Sequence, residues 1–169
     1  RTMLLSTEAA IPAYQTAVAT LKGSAQDAER RFENLVLPDV QKACDLFLPL
    51  YEASSGRAGL VSFEVSPALA GEQRATVQAA QRLWSEIARP NAMIKIPATP
   101  AGIAAVRECI ADGINVNVTL IFSPAQLAAV QTAYREGIER RWQAGQSVDR
   151  IASVASVFIS RLDTLLDPE

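Results

Sequence analysis

AMIKIPATPAGIAAVRECIADGINVNVTLIF, residues 92–122, holds the reading that decides the fold. Ala92 to Ile96 is a short apolar run carrying Ile94 and Ile96, the composition of a strand. Pro97-Ala98-Thr99-Pro100 turns the chain, and Ala101 to Ala111 reads as a helix that Asp112-Gly113 stops. Ile114 to Phe122 then alternates Asn115, Asn117 and Thr119 with Val116, Val118 and Leu120, the period of a second strand. The crossover between these strands is long enough to bring the second back parallel to the first.

The same unit recurs on both sides. Upstream, Val61 to Val65 reads as a strand, and Thr76 to Ile87 as an amphipathic helix with Val77, Ala80, Leu83, Trp84 and Ile87 on one side. Before them, Ser24 to Glu52 has helical spacing with a break expected near Pro38, and Ala53 to Gly59 reads as a loop. Downstream, Ser123 is an N-cap, Pro124 the first helical residue and Gln126 the third position of a capping box. That helix runs to about Gln143, Ala144-Gly145 breaks it, and Ala152 to Ile159 is a fourth strand. Alternating strands and helices predict an α/β fold with a parallel sheet or barrel, as one domain over residues 1–169. No glycine-rich loop follows the first strand, which argues against a dinucleotide or P-loop fold.

Composition narrows the functions. The hydrophobic fraction is 49%, the charged fraction 20% and the formal net charge -2, with no basic patch, so nucleic acid is not an expected partner. No apolar run approaches the roughly 20 residues that span a bilayer, so no membrane partner is expected. Arg1 to Ala10 lacks the basic segment and apolar core of a signal peptide, and the expected compartment is the cytoplasm. Cys44 and Cys109 read as two reduced, structural thiols. With no histidine in the chain, proton transfer falls to carboxylates, lysine, tyrosine or water.

Strands covered on both faces of a parallel sheet are usually aliphatic on both, and these are not. One face collects Ser62, Glu64 and Ser66; Met93, Lys95 and Pro97; Asn115, Asn117 and Thr119; and Ser156, Phe158 and Ser160. In a closed barrel that face points inward, where charged groups need partners. Lys95 stands out among three lysines, because Lys22 and Lys42 sit in polar or helical contexts suited to solvent. Set among Met93, Ile94, Ile96 and Pro97, its amine is expected to be buried and its pKa depressed, which would make it a nucleophile toward a ketone. From residue types alone, a buried Lys95–Glu64 ion pair with a purely structural role is as good a reading.

Four stretches carry a more specific signal: Val61-Ser62-Phe63-Glu64-Val65-Ser66-Pro67, Asn91 to Thr99, Gly113 to Ser123, and Ala152 to Asp163. Together they resemble the transaldolases, most of all the long bacterial form, through most of the chain and most strongly from Leu60 to Asp167. The resemblance implies a (β/α)8 TIM barrel of which these strands are roughly numbers three to six. It implies Schiff-base transfer of a dihydroxyacetone unit between sugar phosphates in the pentose phosphate pathway, with no metal or organic cofactor. It places the Schiff-base lysine on Lys95 and, on Glu64, the carboxylate that acts through a bound water. Asn117 and Thr119 fall on the residues that orient the intermediate and that water. Ser156 falls on a contact to substrate hydroxyls, Phe158 on an aromatic lining, and Arg161 on a phosphate-binding arginine. The implied partners are sugar phosphates; oligomeric state stays open, a homo-oligomer included.

Two features of the family pattern are absent here, an aspartate on the first barrel strand and a Thr-Ser/Thr-Asn-Pro motif on the second. On that count this chain by itself is expected to be inactive or poorly active, and a fragment acting only by association is one alternative. Another is a fructose 6-phosphate aldolase of the same superfamily. Such relatives usually carry Gln at the position of Glu64 and Tyr at that of Phe158, so both residues favour transaldolase. Trp84 and Trp142 read as packing residues, and Arg140-Arg141 as a solvated helix face.

Overall fold

The computed structural model describes residues 11–22 and 25–166. The expectations placed on Arg1 to Ala10, on Ser24 and on the Lys22 side chain lie outside the described residues. The chain forms two compact units, Arg1–Val40 and Gln41–Glu169. In the first, α1 (Ile11–Lys22) is followed by the start of α2 (Ala28–Ala53). Asp27 accepts a bond from the Arg30 N–H at 2.8 Å, the N-cap interaction that satisfies an orphan donor of α2. The Tyr14 hydroxyl donates to Asp39, and that bond raises the phenol's pKa. The expected break at Pro38 is absent, since α2 continues through it. Proline removes one helical bond and crowds the carbonyl a turn earlier; Pro38 is exposed, so water can reach the group it frees.

The second unit is the α/β assembly. Strands β1 (Val61–Glu64), β2 (Ala92–Pro97), β3 (Val116–Ile121) and β4 (Ser153–Val157) lie side by side in chain order, all parallel. Helices α3 (Gln73–Ile87), α4 (Pro100–Ala111) and α5 (Pro124–Gln143) connect them, and α6 (Ser160–Leu166) follows β4. Consecutive parallel strands with a helix after each form the repeat of a (β/α) barrel, here as a four-strand sheet among the described residues. A short 3₁₀ turn, Pro67–Leu69, lies between β1 and α3.

The aliphatic strand faces meet the helices. Ile94, Ile96, Val116 and Val118 are fully buried beside Leu83 and Ile87 of α3 and Val106, Cys109 and Ile110 of α4. Each such aliphatic side chain contributes roughly 1.5–3 kcal/mol on leaving water, so this layer anchors the strands. The cap expected at Ser123 holds, accepting from the Gln126 N–H at 3.2 Å, and Thr99, read as part of a turn, is a second N-cap that accepts from the Gly102 N–H at 2.9 Å. Among the described residues, no helix is long and apolar enough to cross a membrane.

Two glycines mark close backbone approaches. A Cβ on Gly137 would lie 2.7 Å from the Arg107 carbonyl oxygen, where α5 crosses α4. A Cβ on Gly102 would lie 2.0 Å from the Pro97 carbonyl oxygen, at the turn that leaves the Lys95 strand. Gly102→Ala is therefore expected to lower stability by about 2 kcal/mol or more, despite alanine's better helix propensity. Urea unfolding measures this, and a loss under about 0.5 kcal/mol would mean the turn relaxes freely.

Two side chains depart from expectation. Trp142 is 71% exposed and so is not a packing residue, sitting at the end of α5 beyond the strand layer. Arg141 is not simply solvated: it donates to the carbonyls of Ser147 at 2.6 Å and Ala111 at 3.2 Å, tying the end of α5 to the end of α4.

Candidate active site

The polar strand face carries two neighbouring sets of contacts, one between Glu64 and Lys95 and one through Asn117. Glu64 ends β1 and Lys95 is its register partner on β2. The Lys95 ammonium donates to Glu64 Oε2 at 3.0 Å. Contrary to the sequence expectation, Lys95 is not buried: its side chain is 31% exposed and that of Glu64 42%. Its aliphatic neighbours Ile94 and Ile96 point to the opposite face, under the helices, so they do not enclose the amine.

Next to this pair, Asn117 on β3 is the register partner of Lys95 on the other side. Its amide nitrogen donates to Ser62 Oγ at 3.0 Å, and its amide oxygen accepts from Ser156 Oγ at 2.9 Å. One asparagine thus links β1, β3 and β4 by their polar faces. Ser62 had been counted on the polar face but not among the site residues; its even spacing with Glu64 was the available signal. Thr119 is the register partner of Pro97, one layer further along the face, and is almost fully buried.

Asn115 shares the face in sequence but lies outside the site. It is buried, donates to the Pro90 and Ala92 carbonyls at 3.1 Å each, and accepts from the Ala152 N–H at 2.8 Å. It ties together the starts of β2 and β4, at the far end from Glu64.

The alternation of β3 slips beyond Thr119. Val118 pairs with Ala155 but Ile121 pairs with Val157, so three steps on β3 match two on β4. Leu120 takes up the difference with φ at 59°, a left-handed conformation uncommon for a leucine. Ile121 consequently faces the helices, fully buried, and Phe122 turns to the polar face. There its ring lies 5.3 Å from that of Phe158, tilted at 45°. The Arg161 guanidinium, from α6, sits over both rings at 5.7 Å and 5.6 Å from their centroids. Phe122 is the residue that strict alternation assigns to the wrong face.

Neither cysteine competes with Lys95 as a nucleophile. Both are free and buried, and burial raises the Cys44 thiol and pushes that of Cys109 up to about 12. A cleft of about 600 Å³ beside Tyr134, Arg135, Ser153 and Ala155 lies behind β4, and none of the polar-face residues lines it.

Comparison with known proteins supplies independent information. The family model described as "Transaldolase/Fructose-6-phosphate aldolase" matches residues 3–169. A curated relative named transaldolase in Thiobacillus denitrificans is 49% identical over 158 residues, covering 94% of this chain and 44% of its own length. Another in Neisseria gonorrhoeae is 49% identical over 154 residues, covering 91% of this chain and 44% of its own length. One in Mycobacterium bovis is 46% identical over 154 residues, covering 91% of this chain and 41% of its own length. The chain thus spans less than half the length of the curated relatives it matches.

Proposed function

This chain belongs to the transaldolase/fructose-6-phosphate aldolase family, and from that premise we propose that it carries the Schiff-base half of a transaldolase site. The proposed reaction moves a dihydroxyacetone unit from sedoheptulose 7-phosphate to glyceraldehyde 3-phosphate, giving erythrose 4-phosphate and fructose 6-phosphate. The proposed setting is the cytoplasmic pentose phosphate pathway, and the chemistry calls for no cofactor.

The observation that carries this reading is the solvent-accessible Lys95–Glu64 pair at 3.0 Å. An ion pair this exposed contributes at most about 1 kcal/mol, so the fold has little need of it. A structural role is therefore the weaker explanation for a lysine and a glutamate paired on the polar face of this four-strand sheet.

The chemistry runs as follows. Lys95, after giving a proton to Glu64 or to water beside it, adds to the C2 carbonyl of the ketose phosphate. Loss of water, protonated through Glu64, leaves an iminium ion. The C3–C4 bond then breaks: its electron pair flows into the iminium to form an enamine, and the C4 hydroxyl gives its proton to water as the aldose leaves, a proton that water returns to the acceptor's carbonyl oxygen in the next addition. The enamine attacks the carbonyl carbon of the acceptor, and water returns through Glu64 to hydrolyse the new iminium and free Lys95. Asn117, held between Ser62 and Ser156, orients hydroxyls of the bound chain together with Thr119. Arg161 takes the phosphate, its planar guanidinium matching two phosphate oxygens.

Borohydride trapping with fructose 6-phosphate tests this directly, because it reads the imine without requiring turnover. Peptide mass mapping should find a three-carbon or six-carbon adduct on Lys95. An adduct on Lys22 or Lys42 instead would contradict the assignment. Release of free dihydroxyacetone without an acceptor would favour the aldolase activity over transfer; Glu64 and Phe158 support transfer.

A further inference from the structure

We infer that Phe122 is a positioning residue for the anion site: the bulge at Leu120 delivers its ring to the polar face so that, with Phe158, it holds the Arg161 guanidinium in place. The inference rests on the proposed reading of Arg161 as the phosphate-binding group.

Four observations build it. Plain alternation would leave Phe122 under the helices, and the bulge with its left-handed Leu120 reverses that. Bulges and left-handed non-glycine residues persist where the surroundings hold them, and they cluster at functional sites. Here the surroundings are specific. The Phe122 N–H donates to Gln126 Oε1 at 3.0 Å, while Gln126 Nε2 donates to the Ala98 carbonyl at 3.2 Å, so the Gln126 side chain in the first turn of α5 pins the bulged strand end. On the other side, the Phe158 N–H donates to the Ile121 carbonyl at 2.9 Å, fixing the second ring beside the first.

The guanidinium over these rings is an arrangement suited to anion capture. With its central carbon 5.6–5.7 Å from both centroids and its side chain exposed, Arg161 has N–H donors open to a phosphate. It also loses less side-chain freedom when the anion arrives, because the rings have already restricted it. Phe122 remains 41% exposed, so its ring is not simply core filling.

The test titrates the chain with inorganic phosphate and follows the Arg161 Nε–H signal by heteronuclear NMR. Phe122→Leu is expected to weaken phosphate binding about three- to five-fold, the loss of one cation–π partner at a partly exposed site. Phe122→Tyr should restore the affinity. Pentafluorophenylalanine at position 122, nearly the same shape with the ring's charge distribution reversed, should weaken binding at least as much as leucine. It also decides the matter should Phe122→Leu fail to fold. In an Arg161→Gln background, where backbone amide shifts of the neighbouring residues report phosphate instead, Phe122→Leu should have no further effect. Unchanged phosphate affinity in the leucine and pentafluoro variants, or an equal effect without Arg161, overturns the inference. Borohydride trapping on the same samples separates the two readings: no Lys95 adduct with the phosphate response intact removes the transaldolase reading alone.

Discussion

Lys95→Met is expected to abolish transfer, lowering turnover by more than about 10⁴-fold, while leaving the fold within about 1 kcal/mol of the parent. Methionine keeps the length of the side chain and removes the amine, so no imine can form. The structural cost is small because both members of the pair are accessible: Glu64 is 42% exposed and, once unpaired, turns to water without desolvation. This separation of function from stability distinguishes the proposed role from a structural one. Were the pair a structural element, the variant would unfold early and lose activity only in proportion. Urea unfolding of this chain reads the stability, and a coupled transfer assay on the longest polypeptide that contains it reads the turnover. Residual turnover above about one per cent of the parent, given the size of the effect expected for a covalent nucleophile, would remove Lys95 from the chemistry.

The β/α order was legible because each strand announces itself by period and the helices by their apolar spacing and breakers. Ser123-Pro124 opens its helix as read, whereas Thr99-Pro100, read as part of a turn, also caps and opens one. The polar face was legible for the same reason, since Glu64, Lys95 and Asn117 share a parity that the register preserves. What failed to show in the sequence was everything that breaks local periodicity. Ile114 to Phe122 reads as an unbroken strand, and nothing about Leu120 signals a left-handed backbone, so alternation alone does not bring Phe122 to the polar face. The exposure of Lys95 was hidden differently. Apolar neighbours in sequence suggested an apolar pocket, whereas on a strand adjacent residues lie on opposite faces and say nothing about what surrounds the amine. Asn115 makes the converse point: the face it shares with Asn117 is correct, yet its position at the start of β3 makes it a tie between strands.

Glu64→Gln is the sharper test of mechanism, because it alters charge and proton affinity with almost no change of shape. Glutamine still accepts a bond from the Lys95 ammonium through its amide oxygen, but it can neither take the amine's proton nor return one to a departing hydroxide. Steps that move protons should slow by about 10²–10⁴-fold, the usual contribution of a positioned acid or base. Imine formation and hydrolysis would both suffer. Yet the accessible amine can exchange protons with water, so the first addition suffers less than the repeated proton transfers of a full cycle. The expected signature is therefore uneven: turnover collapses, while the borohydride-trapped adduct on Lys95 stays readily detectable. Turnover equal to the parent's would show that water alone carries the protons and that Glu64 only steadies the amine. Loss of the adduct together with turnover would instead make the carboxylate essential to generating the nucleophile, and would place its main action before carbon–carbon cleavage.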